Sequence, residues 1–336
     1  MAPRIAVLGL GLMGGSLWRR LAAEGYPVTG YDLDPATRAA ARADATTMSN
    51  PSAGRIVDTV PAAVADAEMA VLGVWVPDVE NLMHQIHETG FGGILTDVTS
   101  VKQPVQDIID RKYPGTRWIG GHPMVGFSRQ GYTSSRGDMY EDCPWVLCID
   151  EDAKPASTMR DWLFLARIFT SIGARVVPIT ARDHDEAVAR ISHTPHIVAN
   201  ALTLNAAASP LGHLALTLGA GSFRDSTRVA MSNPDRTASF CSWNSDALAD
   251  ELDQLIARLS QARSILRSGP NPTEALRSWL WPGHVVRSAW PPEPDDEISF
   301  PASVSSLLEL GRAGGWVREV NGTQITGVRP SSIPLR

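Results

Sequence analysis

Residues 4–16 read RIAVLGLGLMGGS, and this stretch limits the fold more than any other part of the chain. A short apolar run of strand character enters Gly9-Leu10-Gly11-Leu12-Met13-Gly14, and an apolar helical pattern begins near Met13. The first glycine allows a tight turn, the second leaves room for another group to approach the backbone, and the third lets helix and strand pack closely. Strand, glycine turn and helix in this order open a parallel α/β sheet. The unpaired N–H groups at the helix N-terminus then form a seat for negative charge.

The second strand pattern, PVTGYD, ends in Asp32, 18 residues beyond Gly14. A carboxylate there can hydrogen-bond both hydroxyls of a ribose and repels a 2′-phosphate. Gly9, Gly11, Leu12, Met13, Gly14 and Asp32 are therefore the expected cofactor residues, with NAD favoured over NADP. The alternative makes Asp32 and Asp34 turn residues ahead of Pro35, and Arg38 stands near enough to accommodate a phosphate.

Short apolar runs alternate with helical patterns up to about Ile179, in RIAVLGL, PVTGYD, MAVLGVW, GGILTDV, RWIGG, PWVLCID and ARVVPI. This alternation predicts a Rossmann-type, doubly wound, mostly parallel sheet over residues 1–180. From Arg182 to about Leu266 strand runs give way to alanine, leucine and histidine at helical spacing, which predicts an all-α domain over 181–267. Residues 268–336 form a C-terminal extension of unassigned role: a Pro/Asp/Glu-rich linker, one helix, and a hairpin around VNGTQ.

Length of 336 residues suits about two domains, and 43% hydrophobic content supplies a substantial core. A net charge of −6 without a long Lys/Arg run argues against nucleic acid or an anionic membrane as partner and favours a small solute. Cys143, Cys148 and Cys241 have no paired metal spacing and are too few for a disulfide framework, which suits a reducing compartment. The N-terminus shows no leader pattern and no apolar run approaches a membrane span, so a cytoplasmic location is expected.

Ligands of doubly wound sheets sit outside the carboxyl ends of the strands. GGILTDVTSVK predicts a strand ending at Thr96-Asp97, then Ser100 as cap of a helix from Val101; RWIGGHP predicts the next strand, ending at His122. Both side chains would reach one crevice, and Pro123 biases His122 toward extended backbone. The plainer readings are a capping serine and a structural turn histidine.

In the helical region, His193 and His196 are three residues apart and share a helix face, with Pro195 between them. A proline there loses a hydrogen bond and clashes with the Ile191 carbonyl, at a cost of about 3 kcal/mol, which suits a site better than a bland surface. No third ligand is arranged for a metal, so none is expected; core histidines bonded to backbone are the alternative. Arg224 and Arg228 at i and i+4 could grip carboxylates in bidentate fashion, or Arg228 could pair with Asp225 on an exposed face. Taken together, these residues suggest a nicotinamide dehydrogenase for a small anionic substrate.

Five ordered segments, GLGLMGGS at 9–16, TDVTSVK at 96–102, GGHPMVGFSRQG at 120–131, HDEAVARISHTPH at 184–196 and GSFRDSTRVA at 221–230, resemble the prephenate/arogenate dehydrogenases of tyrosine biosynthesis over about residues 4–235. The resemblance implies oxidative decarboxylation. A cyclohexadienol gives hydride from C4 to NAD, loses its ring carboxylate as carbon dioxide and becomes aromatic, so the protein contributes mainly orientation and electrostatics. It further implies that neutral His122 accepts a hydrogen bond from the C4 hydroxyl and that Ser100 orients this histidine. His196 would line the pocket, and Arg228, with Arg224 as the weaker candidate, would bind a substrate carboxylate. A homodimer through the helical domain is implied as well.

Thr194, Val125 and Ser222 depart from the family's usual leucine, alanine and glycine beside substrate-contacting positions. The choice among prephenate, arogenate and a 4-amino analogue therefore stays open, and residues 268–336 do not resemble a full regulatory ACT domain. The β-hydroxyacid dehydrogenases share GLGLMG but require a lysine in the helical domain, and residues 182–267 contain none. A non-catalytic NAD sensor would have no use for a histidine, a serine and an arginine converging on one crevice.

Overall fold

A computed structural model describes residues 2–46, 54–126, 129–151, 155–208 and 210–333. The chain divides into two compact units: residues 1–185 with 299–327, and residues 186–298 with 328–336. Phe127 and Ser128 of the GGHPMVGFSRQG segment lie outside the described residues.

The first unit begins with β1 (Ile5–Leu8), β2 (Val28–Tyr31), β3 (Gly54–Ile56), β4 (Met69–Leu72), β5 (Ile94–Asp97) and β6 (Trp118–Ile119). They form one sheet in the order β3-β2-β1-β4-β5-β6, and its neighbouring strands run parallel. All four residues of β1, of β4 and of β5 are buried, as expected for central strands covered on both faces.

A second sheet holds β7 (Gly121–Pro123), β8 (Pro144–Cys148), β9 (Arg175–Ile179), β10 (Pro294–Pro301), β11 (Trp316–Asn321) and β12 (Gln324–Pro330). Its order is β10-β12-β11-β9-β8-β7, with β8 and β9 parallel and the β7–β8 and β9–β11 pairs antiparallel. The expected single strand RWIGGHP is thus two strands in two sheets, and the chain crosses between them at Gly120. PWVLCID and ARVVPI likewise belong to the second sheet, so the Rossmann-type parallel sheet forms as expected while the later strands of the mostly parallel sheet expected over 1–180 join another.

The C-terminal extension is divided too. Its helix Val304–Arg312 and the hairpin around VNGTQ form as expected, and the helix, β11 and β12 as far as Gly327 belong to the first unit. Val317 pairs with Val176 of β9, and a Cβ at Gly311 would lie 1.7 Å from the Pro178 carbonyl oxygen, so helix and strand are in backbone contact there. Residues 294–301, read from their prolines and acids as linker, are the strand β10. Residues 273–288 continue the helical unit as a helix that tolerates Pro282.

The second unit is helical. It carries a π-helical turn, Ala189–His193, running into the helix Thr194–Ala207, then Gly221–Thr227, Pro234–Trp243 and the long Ser245–Arg267. Pro195 stands directly after the π-helical turn, at the start of the α-helical run Thr194–Ala207. The wider turn before it absorbs the strain expected at Ile191.

Candidate active site

The glycine loop is built as its sequence requires. Gly9 has φ +101°, and a Cβ on Gly14 would lie 1.8 Å from the Gly9 carbonyl oxygen. Gly11 has open space where a Cβ would stand, and the helix Leu12–Ala23 that follows has no side-chain cap. Its first N–H groups, from Leu12 and Met13 onward, remain for an anionic group. Asp32 holds the loop from the end of β2: one oxygen accepts Leu10 N–H at 2.6 Å and the other Asp34 N–H at 2.9 Å. Arg38, the residue that could have met a 2′-phosphate, donates to the carbonyls of Asp32 and Leu33 and to Asp58. These residues fit a dinucleotide whose ribose carries a free 2′-hydroxyl.

β5 and β6 are neighbours, with Thr96 in register with Ile119, so Ser100 and His122 leave the same end of the sheet. Both are half-buried. Ser100 does not cap a helix. The helix starts at Gln103, and its cap is Asp185, which accepts Lys102 N–H at 2.7 Å and Gln103 N–H at 2.8 Å. This cap comes from far along the chain, which is why the local pattern pointed to Ser100 instead.

The backbone of His122 is anchored by a buried cation. Lys102, 2% exposed, donates to the Asp97 carboxylate, to Thr99 Oγ1 at 2.9 Å and to the Gly121 carbonyl at 2.6 Å. The other Asp97 oxygen accepts Gly121 N–H at 2.9 Å. A Cβ at Gly121 would lie 2.6 Å from the Asp97 carbonyl oxygen, so only glycine permits this approach. Burying an ion pair is costly, and breaking one is costlier still, so the clamp fixes where β7 begins.

The His122 ring meets a second histidine. Its Nδ1 lies 2.9 Å from His184 Nε2, and His184 Nδ1 lies 2.7 Å from Asp185 Oδ1. His184 is buried, and burial holds its pKa below the ordinary 6.5 although Asp185 pulls the other way. Lys102, His184 and Asp185 were not singled out from the sequence. They stand at the end of TDVTSVK and the head of HDEAVARISHTPH, but a lone lysine and an adjacent His-Asp pair do not announce their partners.

In the second unit, His193 and His196 both pack on Phe240, with centroids at 4.7 Å and 5.2 Å. His193 is 1% exposed and its Nδ1 lies 3.2 Å from Asn244 Nδ2. His193, counted with His196 as a substrate-binding candidate on their shared helix face, is corrected: it serves the packing of its unit. His196 is half-buried, with Nδ1 lacking a partner among the described residues. Burial, then the charges of Arg236 and Arg228, hold its pKa down, while a backbone bond to Val229 opposes them. Arg224 pairs with exposed Asp225 at 3.2 Å, so the pairing weighed for Arg228 falls to Arg224. Arg236, missed in the sequence, is half-buried, and no ion pair involves it among the described residues.

Two family models match the chain: the nucleotide-binding domain of prephenate dehydrogenase over residues 18–178 and its dimerization domain over 180–281. The chain is 28% identical over 273 residues to the prephenate dehydrogenase of Bacillus subtilis, covering 79% of this chain and 70% of that protein. A crystal structure of a candidate prephenate dehydrogenase from Corynebacterium glutamicum matches with TM-score 0.77 at 30% identity, over 87% of this chain and 91% of that one. Synechocystis arogenate dehydrogenase matches with TM-score 0.69 at 26% identity, over 85% and 99%. The glycine loop, the strand-end histidine and the match along both units agree: this chain belongs to the prephenate dehydrogenase family.

Proposed function

We propose that the chain catalyses NAD-dependent oxidative decarboxylation of prephenate to 4-hydroxyphenylpyruvate, with arogenate as the alternative substrate. The observation that carries the reading is His122, held at the end of the sheet by the Lys102–Asp97 clamp and backed by His184. NAD, bound along Gly9, Gly11, Leu12, Met13, Gly14 and Asp32, supplies the hydride acceptor. As hydride leaves C4, the hydroxyl proton on that carbon becomes acidic. Neutral His122 accepts its hydrogen bond, and Ser100 orients the pair. Breaking the bond to the ring carboxylate then sends its electrons into the ring, which becomes aromatic as carbon dioxide departs.

His196 and Arg228 are the second unit's candidates for the pocket lining and the carboxylate anchor, with Arg236 added and Arg224 the weaker choice. The second unit also exposes Leu204, Leu211 and Leu218 at 68%, 65% and 72%, which supports a homodimer in which another copy covers them. Relatives named for prephenate and for arogenate support both substrates.

The test offers purified protein NAD or NADP with prephenate and arogenate separately and follows reduced nicotinamide by absorbance. Reduction with NAD and prephenate is expected, and His122→Asn should lower turnover about 10²- to 10⁴-fold with little change in KM. No reduction with either substrate overturns the reading and turns attention to the 4-amino analogue.

A further inference from the structure

Hydrogen-bond chemistry along the line Asp185, His184, His122 allows one consistent arrangement of protons. Asp185 accepts two backbone N–H groups at the helix start and is a carboxylate, which only accepts. His184 Nδ1, 2.7 Å away, must therefore carry a hydrogen. Burial keeps this imidazole neutral, so its Nε2 is bare. His122 Nδ1, 2.9 Å from that bare nitrogen, must then be the donor.

We propose that His184 and Asp185 are positioning residues that hold the proton of His122 on Nδ1, so that the lone pair lies on Nε2 and is ready to accept the substrate hydroxyl. This rests on the reading of His122 as the hydrogen-bond acceptor of the reaction. With the proton on Nε2 instead, the ring would offer the hydroxyl a donor and could not take up its developing charge. The near-perpendicular rings, 75° apart with centroids at 5.1 Å, place the edge nitrogens toward each other as a hydrogen bond requires. Asp185 has a second duty as cap of the helix Gln103–Lys112, so His184 is the cleaner residue to change.

The experiment records nitrogen-15 spectra of histidine-labelled protein at pH 7.5, with His122→Asn assigning the signals of His122. Wild type should show Nδ1 protonated and Nε2 bare. His184→Leu removes the acceptor and should give a mixed tautomer with turnover lowered about 10- to 100-fold and KM for NAD unchanged. His184→Gln, whose amide oxygen can stand near the lost Nε2, should keep the tautomer and recover most of that turnover.

A wild-type spectrum with the proton on Nε2 overturns the proposal. So does a His184→Leu variant that loses turnover while His122 keeps the wild-type tautomer, since that loss would be structural. If His184→Leu fails to fold, the wild-type spectrum and the Gln variant still decide. Full turnover in His122→Asn would instead sink the reading of His122 as acceptor and leave the tautomer result standing.

Discussion

The two units treat apolar surface in opposite ways. The first closes over its own core: Leu8, Leu17, Trp18, Trp145, Trp162 and Phe169 are fully buried, and Trp145 stacks on Phe169 at 4.0 Å. It even buries a lysine, with Asp97 as partner. Among the described residues the second unit buries few apolar side chains, Ala199, Phe240 and Leu248 among them, while Leu204, Leu211, Leu214 and Leu218 are exposed. The first unit holds its proton-carrying groups in place by buried hydrogen bonds. The second leaves a row of leucines uncovered in the single chain.

The sharpest way to break that contrast is to attack the buried clamp. Lys102→Met leaves Asp97 charged and unpaired in the core and should destabilise the first unit by about 3–5 kcal/mol. Thermal unfolding would show this as a drop in Tm of about 10 °C. An unchanged Tm would mean that the clamp does not hold β7.

For the second unit, Leu204→Glu together with Leu218→Glu should convert a dimer to monomer in light scattering without altering the strand signal in circular dichroism. A native mass that stays dimeric would place the interface elsewhere. Arg228→Ala should raise the KM for substrate about tenfold and leave turnover nearly intact, whereas Arg224→Ala should do little because its partner is an exposed Asp225.

The smallest effect concerns pH and involves both units. His184 and His196 have folded pKa values below 6.5, so protons bind the unfolded chain first. Their contribution to stability is present above about pH 6.5 and is lost as pH falls through the lower folded values. Tm measured from pH 8 to pH 5 should decline in that window, and His184→Gln should flatten the decline.

The glycine loop, Asp32, the central parallel strands and the helical character of residues 181–267 were legible because each is a local pattern. A strand, a turn and a 3.6-residue period are written in neighbouring residues. His122 was legible as well, through its place beside Pro123 after a strand. Hidden were the break of RWIGGHP into two sheets, the strand at 294–301 and the return of residues 299–327 to the first unit. The adoption of β11 by β9 depends on edges that meet only after folding.

The site shows the same division. The sequence by itself determined which residue types were present: a strand-end histidine, a serine, arginines and a nucleotide loop. Only the tertiary structure decided which of them work together. Asp185 caps a helix more than 80 positions earlier in the chain, and His184 reaches His122 across 62 residues. Hydrogen bonds and buried ion pairs act over about 3 Å of space whatever the distance along the chain, so the partner that sets a histidine's proton cannot be read from its neighbours.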